Sequence, residues 1–369
     1  MFIILLASTL AGTPPCDDPA PRPLPTAAHN CYPSRGHGRE RIEEALRLGI
    51  DNIEIDLGWD SLKKRLIVTH EADPKGNPNA PEFESYLLPA LRSHWKNIRD
   101  DKAPTILTID WKTARPEAIS RFKDFLDSRP DWFSSAPKTA DGALTTRRLT
   151  VCLTGSEEAK DRYDALIPEG GIYRAFKDRV FGGDGSYLDD VHEYAPKRAT
   201  TYHRFVTIAW GHVERGGPAL SRDWTKDEQS RLCSIVKRVH EQGFRVRFYC
   251  LNCRGAGPLD PYAFPSSSAA RLRWLAARRA GTDWIASDNY QELVEALKAL
   301  KDTSHDDPPQ NKDRATEEDK LRSDRRDSFL PFHTLERLGN GESKIVSRGS
   351  SRGVREFNRA ERDESRGIG

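Results

Sequence analysis

From Leu24 to about Leu300 the chain alternates short apolar runs with longer amphipathic stretches. Apolar runs of four to eight residues bounded by turn formers read as buried strands; apolar residues at i, i+3 and i+4 read as helix faces. The runs fall at 25–29, 52–57, 104–110, 148–153, 179–182, 203–210, 244–250 and 282–287. Between them, residues 39–48 place Ile42, Ala45 and Leu46 on one face, and Gly49 ends the turn. Residues 227–242 do the same with Leu232, Ile235, Val236 and Val239, followed by Gly243. A last helix, 290–300, carries Leu293, Leu297 and Leu300. Eight strands alternating with helices over 25–301 predict an α/β fold, a closed TIM-type (β/α)8 barrel rather than an open doubly wound sheet. The pattern is weakest around the fourth and fifth units, because 154–200 is rich in Gly, Asp and Tyr.

The ends of the chain read differently. Residues 2–12 are an apolar run followed by small residues, too short to span a bilayer as a helix. Its form is that of a signal-peptide core and cleavage zone, although no Lys or Arg precedes it. Residues 1–12 are therefore expected to be a signal peptide and the protein secreted or periplasmic. Prolines 14, 15, 19, 21 and 23 make 13–24 an extended linker. Beyond residue 301 apolar periodicity is lost and Asp, Glu, Lys, Arg and Ser dominate, apart from Phe329-Leu330-Pro331-Phe332. Such a segment buries too little apolar surface to offset its ordering entropy, so 302–369 is expected to be a disordered charged tail. This tail accounts for a charged fraction of 31% beside 37% hydrophobic residues.

The formal charge of +2 comes without a dense basic run, which argues against nucleic acid as a partner. Six cysteines permit disulfides in an exported chain. Cys250 and Cys253 have CxxC spacing, but without a second such pair or neighbouring histidines structural zinc is not expected. Cys152 and Cys233 read as core thiols.

Chemistry concentrates where predicted strands end. His29 follows the first strand. Glu54 and Asp56 lie one side-chain period apart on the second and so share a face. His70 follows the run Leu66-Ile67-Val68-Thr69, and Asp110 and Lys112 repeat the i, i+2 spacing at the end of the third strand. Loops after barrel strands build the active face, so all six converge at one mouth. Three carboxylates there repel one another unless a cation lies between them, and hard oxygen ligands favour Ca2+ or Mg2+. Two imidazoles beside it suit general acid and general base work near neutral pH. Lys112 adds a fixed positive charge, and the whole suits a phosphodiester, whose transition state loads charge on the phosphoryl oxygens. Trp210, Tyr249 and Asn252 end later strands, and either aromatic would suit a substrate headgroup. Core or rim packing is the competing reading for both aromatics, and His203, His212 and His240 read as structural.

The residues also carry a resemblance. Ala28-His29-Asn30, the stretch from Arg41 to Gly49, Ile53-Glu54-Ile55-Asp56 and Val68-Thr69-His70 resemble the superfamily of glycerophosphodiester phosphodiesterases and phosphatidylinositol-specific phospholipases C. His29-Asn30-Cys31-Tyr32-Pro33 is most similar to the bacterial phospholipase-C-like branch. Leu107 to Lys112 resembles the third-strand motif, and Gly281 to Asn289 the closing strand, so the likeness spans about 25–289. It implies a TIM barrel, acid–base catalysis by His29 and His70, and Ca2+ or Mg2+ on Glu54, Asp56 and Asp110. The chain departs from the pattern at Asn30, where glycerophosphodiesterases usually carry Arg, and at Asp110, where many relatives carry Glu. Asn30 is thereby a candidate substrate contact of a different kind.

These readings together predict a secreted metal-dependent phosphoric diester hydrolase acting on a lipid-derived or glycerol-type phosphodiester. A phospholipase D-like lyase forming a cyclic phosphate shares the same positions, and a barrel that binds lipid or phosphate without turnover is the non-enzymatic alternative. Transient contact with a membrane surface and the oligomeric state stay open, as do the headgroup and which histidine is the base.

Overall fold

All eight apolar runs become strands, and the eight pair side by side in parallel. The computed structural model describes residues 24–33, 39–71, 79–96, 104–140, 142–182, 187–253 and 260–302. The main sheet comprises β1 (Thr26–Ala28), β2 (Asn52–Asp60), β3 (Arg65–Val68), β4 (Thr105–Trp111), β5 (Leu149–Gly155), β6 (Ala175–Phe181), β7 (His203–Ala209), β8 (Arg245–Tyr249) and β9 (Trp284–Ser287). The parallel ring runs β1, β2, β4, β5, β6, β7, β8, β9 and closes where β9 pairs with β1. The fold is a TIM barrel. β3 stands outside the ring as the antiparallel partner of the outer half of β2, with Leu57 opposite Val68. This hairpin explains why the run before His70 follows the second strand so closely. The predicted signal peptide, all but one residue of the linker, and residues 303–369 of the predicted tail lie outside the described residues.

Seven helices cover the ring: α1 (Glu40–Leu48), α2 (Phe83–Trp95), α3 (Pro116–Asp127), α4 (Glu157–Ala165), α5 (Lys226–Glu241), α6 (Ser267–Arg279) and α7 (Tyr290–Asp302). α1 buries Ile42, Ala45 and Leu46, and Gly49 takes a left-handed φ of 79° to close it. α5 begins with a capping box between Thr225 and Glu228, which satisfies donors that a helix N-terminus leaves open. Among the described residues no helix is long and apolar enough to cross a membrane.

The largest displacement from expectation is β6, which starts at Ala175 rather than 179. Lys177 and Asp178 interrupt its apolar pattern, yet both are neutralised by α4. Lys177 pairs with Glu157 and Asp161, and the fully buried Asp178 pairs with the fully buried Lys160 at 3.0 Å. The two-residue ladders between 136–137 and 172–173, and between 252–253 and 263–264, are too short to show in a periodicity. Cys31, Cys152, Cys250 and Cys253 are buried free thiols, whereas Cys233, read as a core thiol, is disulfide-bonded.

Candidate active site

Register brings the six strand-end residues to one mouth. β2 and β4 align Asp56 with Asp110 and Glu54 with Thr108, so the three carboxylates share the inward face. One oxygen each from Glu54, Asp56 and Asp110 lies within 4.8 Å of the others. His29 follows β1, and its Nε2 is 3.6 Å from Glu54 Oε1. Thr69 N donates to Asp56 O and anchors the end of the hairpin, leaving His70 Nε2 4.0 Å from Asp56 Oδ2. Lys112 Nζ sits 2.8 Å from Asp110 Oδ2 and 3.2 Å from Asp56 Oδ2. Gly155, at φ 76°, holds the next strand back: a Cβ there would lie 2.1 Å from Asp110 Oδ1.

Electrostatics make this cluster incomplete without a cation. Both oxygens of Asp56 are buried and accept no hydrogen bond. Burial, together with the charges of Asp110 and Glu54, pushes the Asp56 carboxyl up to about 8. At neutral pH a proton or a cation must therefore stand beside it. The donor set, three carboxylate oxygens in close range with two of the groups buried, fits a hard divalent ion. Lys112 is buried at some cost, but Asp110 and Asp56 hold its ammonium above the usual lysine value.

The histidines differ. Burial alone would depress the His29 imidazole, yet Glu54 and Asp288 outweigh it and raise its pKa. His70 is 66% exposed, and its residual burial and Lys112 lower its pKa. An acid–base pair needs two such groups driven apart in opposite directions.

Several residues that complete the site went unassigned in the sequence. Asp288 follows β9 directly, and Ser287 lies opposite Ala28 in the ladder, so Asp288 and His29 emerge side by side. Asp288 Oδ1 lies 3.0 Å from His29 Nδ1. Its other oxygen accepts from Asn252 Nδ2 at 2.6 Å, and Arg41 donates to its backbone carbonyl. Burial opposes ionisation of Asp288, but the hydrogen bond and charge of His29 hold its carboxyl below the usual range. Applying the strand-end rule to the closing strand would have found it. Arg247, on β8, is buried and donates to Glu54; inside an apolar run it gave no signal. Tyr32 lies 6.0 Å from the His70 ring and Tyr262 6.4 Å from that of His29.

The three candidate substrate contacts separate. Tyr249 stays at the site, its ring 6.3 Å from His29. Asn30, in the left-handed region at φ 56°, turns its amide to Asp288 at 3.0 Å, so in this arrangement it braces the histidine partner. Trp210 is fully buried between Trp224 and Phe248 and donates its indole N–H to Glu214, which Arg273 pairs in turn. It is a packing residue, because a strand-end aromatic followed by a helical turn has room to fold back into the core.

No family model matches the sequence, and no curated protein does. Among solved structures, a glycerophosphodiester phosphodiesterase from Parabacteroides distasonis is similar at 14% identity, covering 75% of this chain and 97% of its own, with a TM-score of 0.43. An Oleispira antarctica phosphodiesterase in complex with the product sn-glycerol-3-phosphate is similar at 14% identity, 74% and 97% coverage, and a TM-score of 0.44. The HPPK-DHPS protein of Plasmodium falciparum is similar at 12% identity, 81% and 51% coverage, and a TM-score of 0.40.

Proposed function

We propose that this protein is a metal-dependent phosphodiesterase acting on a glycerol-type or lipid-derived phosphodiester. The observation that carries the reading is the cluster of Glu54, Asp56 and Asp110 between two histidines, with both Asp56 oxygens buried and unbonded. Ca2+ or Mg2+ on these three carboxylates would neutralise them and draw charge from a phosphoryl oxygen. Lys112 adds a cation that does not exchange, held by Asp110 and facing the same space.

His29 and His70 stand on opposite sides of the cluster, near Glu54 and Asp56 respectively. One imidazole takes the proton of the attacking oxygen, from water or from a substrate hydroxyl next to the phosphate. The other gives a proton to the departing alkoxide. Asp288 fixes the His29 ring through Nδ1, which leaves Nε2 facing the cluster. Tyr249 and Tyr262 flank His29, and Tyr32 flanks His70, so the mouth offers aromatic surface to a headgroup or glycerol chain.

The apolar run at residues 2–12 and the disulfide at Cys233 favour an exported protein, since such bonds persist in oxidising compartments. Transient contact with a lipid surface follows only if the substrate is an intact phospholipid.

The test is phosphorus NMR of purified protein with glycerophosphocholine, lysophosphatidylcholine and sphingomyelin, with added Mg2+ or Ca2+ and with chelator. Metal-dependent loss of the diester signal is expected. A linear monoester product marks hydrolysis, a cyclic product marks the lyase reaction, and persistence of all three diesters with either ion refutes the proposal.

A further inference from the structure

Arg247 stands out among the charged residues of the barrel interior. It lies on β8, paired in the ladder with Thr207 and Trp284, and is about as buried as the apolar core around it. Its guanidinium donates to Glu54 Oε2, while its Nε is buried with no acceptor. Burying an arginine for a single contact is unfavourable unless that contact does something the fold needs. Its partner is one of the three carboxylates of the candidate cation site, so the contact bears on that site.

We infer that Arg247 sets the ion preference of the cluster, favouring Mg2+ over Ca2+ by keeping one oxygen of Glu54 from ligating; this rests on the metal-dependent reading above. Protein cations engage one oxygen of each carboxylate. Arg247 takes Glu54 Oε2, and Lys112 takes Asp110 Oδ2 and lies 3.2 Å from Asp56 Oδ2. What remains is one oxygen from each group: Glu54 Oε1, Asp56 Oδ1 and Asp110 Oδ1. Ca2+ commonly takes six to eight oxygens and gains from bidentate carboxylates, whereas Mg2+ holds an octahedron with few protein ligands and keeps room for water and phosphate. Three single oxygens suit the smaller ion. Glu54 is the one carboxylate of the three whose second oxygen is held by a guanidinium, and a guanidinium is a stronger and more directional hydrogen-bond partner than an ammonium. Arg247 is thus a specificity-determining residue for the ion, acting through Glu54.

Isothermal titration of the chelator-treated full chain with MgCl2 and with CaCl2, in separate experiments, tests this without reference to turnover. Wild-type protein is expected to bind Mg2+ more tightly. Arg247→Met should tighten both ions by removing a neighbouring charge, and Ca2+ more, moving the affinity ratio about tenfold toward Ca2+. Arg247→Lys, which keeps the charge with a smaller head, should move the ratio the same way by a smaller factor; it decides the matter together with the wild type if the Met variant does not fold. Wild-type protein that binds Ca2+ at least as tightly overturns the inference, and so does an equal gain for both ions in Arg247→Met. No binding of either ion overturns it together with the metal-dependent reading. Binding of both with the wrong order overturns the inference alone.

Discussion

Asp288 Oδ1 stands 3.0 Å from His29 Nδ1, although the two residues are 259 positions apart in the chain. The closure of the barrel makes the pair: β9 lies beside β1, and each residue is the first beyond its strand. The carboxylate fixes which ring nitrogen faces the cluster and favours the protonated ring. Asp288→Asn should leave folding intact and lower kcat by about 10²–10⁴-fold with little change in KM. The His29 imidazole should then titrate at lower pH, as followed by NMR. A variant with normal kcat and an unmoved His29 titration would remove Asp288 from the machinery.

The metal-free chain should lose stability as pH rises. His29 and Asp56 both have folded-state pKa values above their ordinary ones, Asp56 at about 8. A group of this sign stabilises the fold below its unfolded pKa, and that contribution disappears as pH passes the folded value. For Asp56 the window runs from the ordinary carboxylate range up to about 8. For His29 it opens near 6.5. Urea unfolding in chelator at pH 5, 6, 7 and 8 should show the decline in the wild type and a shallower one in Asp56→Asn. A divalent ion that binds only the folded chain should reduce the slope as well. Identical slopes for wild type and Asp56→Asn would contradict the assignment.

Gly155 is where backbone geometry and the ion site meet. Its φ of 76° and the absence of a side chain let Asp110 Oδ1 lie against it, with Trp111 O only 2.6 Å from where a Cβ would be. Gly155→Ala should cost about 2 kcal/mol or more in stability from strain and crowding. It should also weaken divalent-ion binding by displacing Asp110. Calorimetric melting and ion titration measure the two effects. An alanine variant that matches the wild type in both would show that Asp110 can move without consequence.

The barrel and most of its mouth were legible in the chain because both obey local rules. Buried parallel strands read as apolar runs, and Glu54/Asp56 and Asp110/Lys112 follow a period of two that survives any small error in strand ends. Residues whose roles depend on ring closure were not legible in the same way. Arg247 is inseparable from its strand until β8 is seen across from β2, and Asp288 acquires meaning only when β9 meets β1. Trp210 failed for the opposite reason. Strand-end position predicts the mouth for a short polar group, but a large aromatic can turn back into the core, here onto Glu214. β6 was misplaced because Lys177 and Asp178 look like loop residues until the acidic residues and Lys160 of α4 are set against them.

The central claim is that cleavage of a phosphodiester depends on both histidines and on a cation at the three carboxylates. Its most direct test is the rate of glycerophosphocholine or lysophosphatidylcholine cleavage by chelator-treated wild type, His29→Ala and His70→Ala as Mg2+ or Ca2+ is added back. The wild type should recover activity with saturable dependence on the ion. Each variant should stay lower by about 10²–10⁴-fold at every ion concentration, the range for a lost acid or base. Undiminished cleavage by both variants, or full wild-type activity in chelator, would contradict the account.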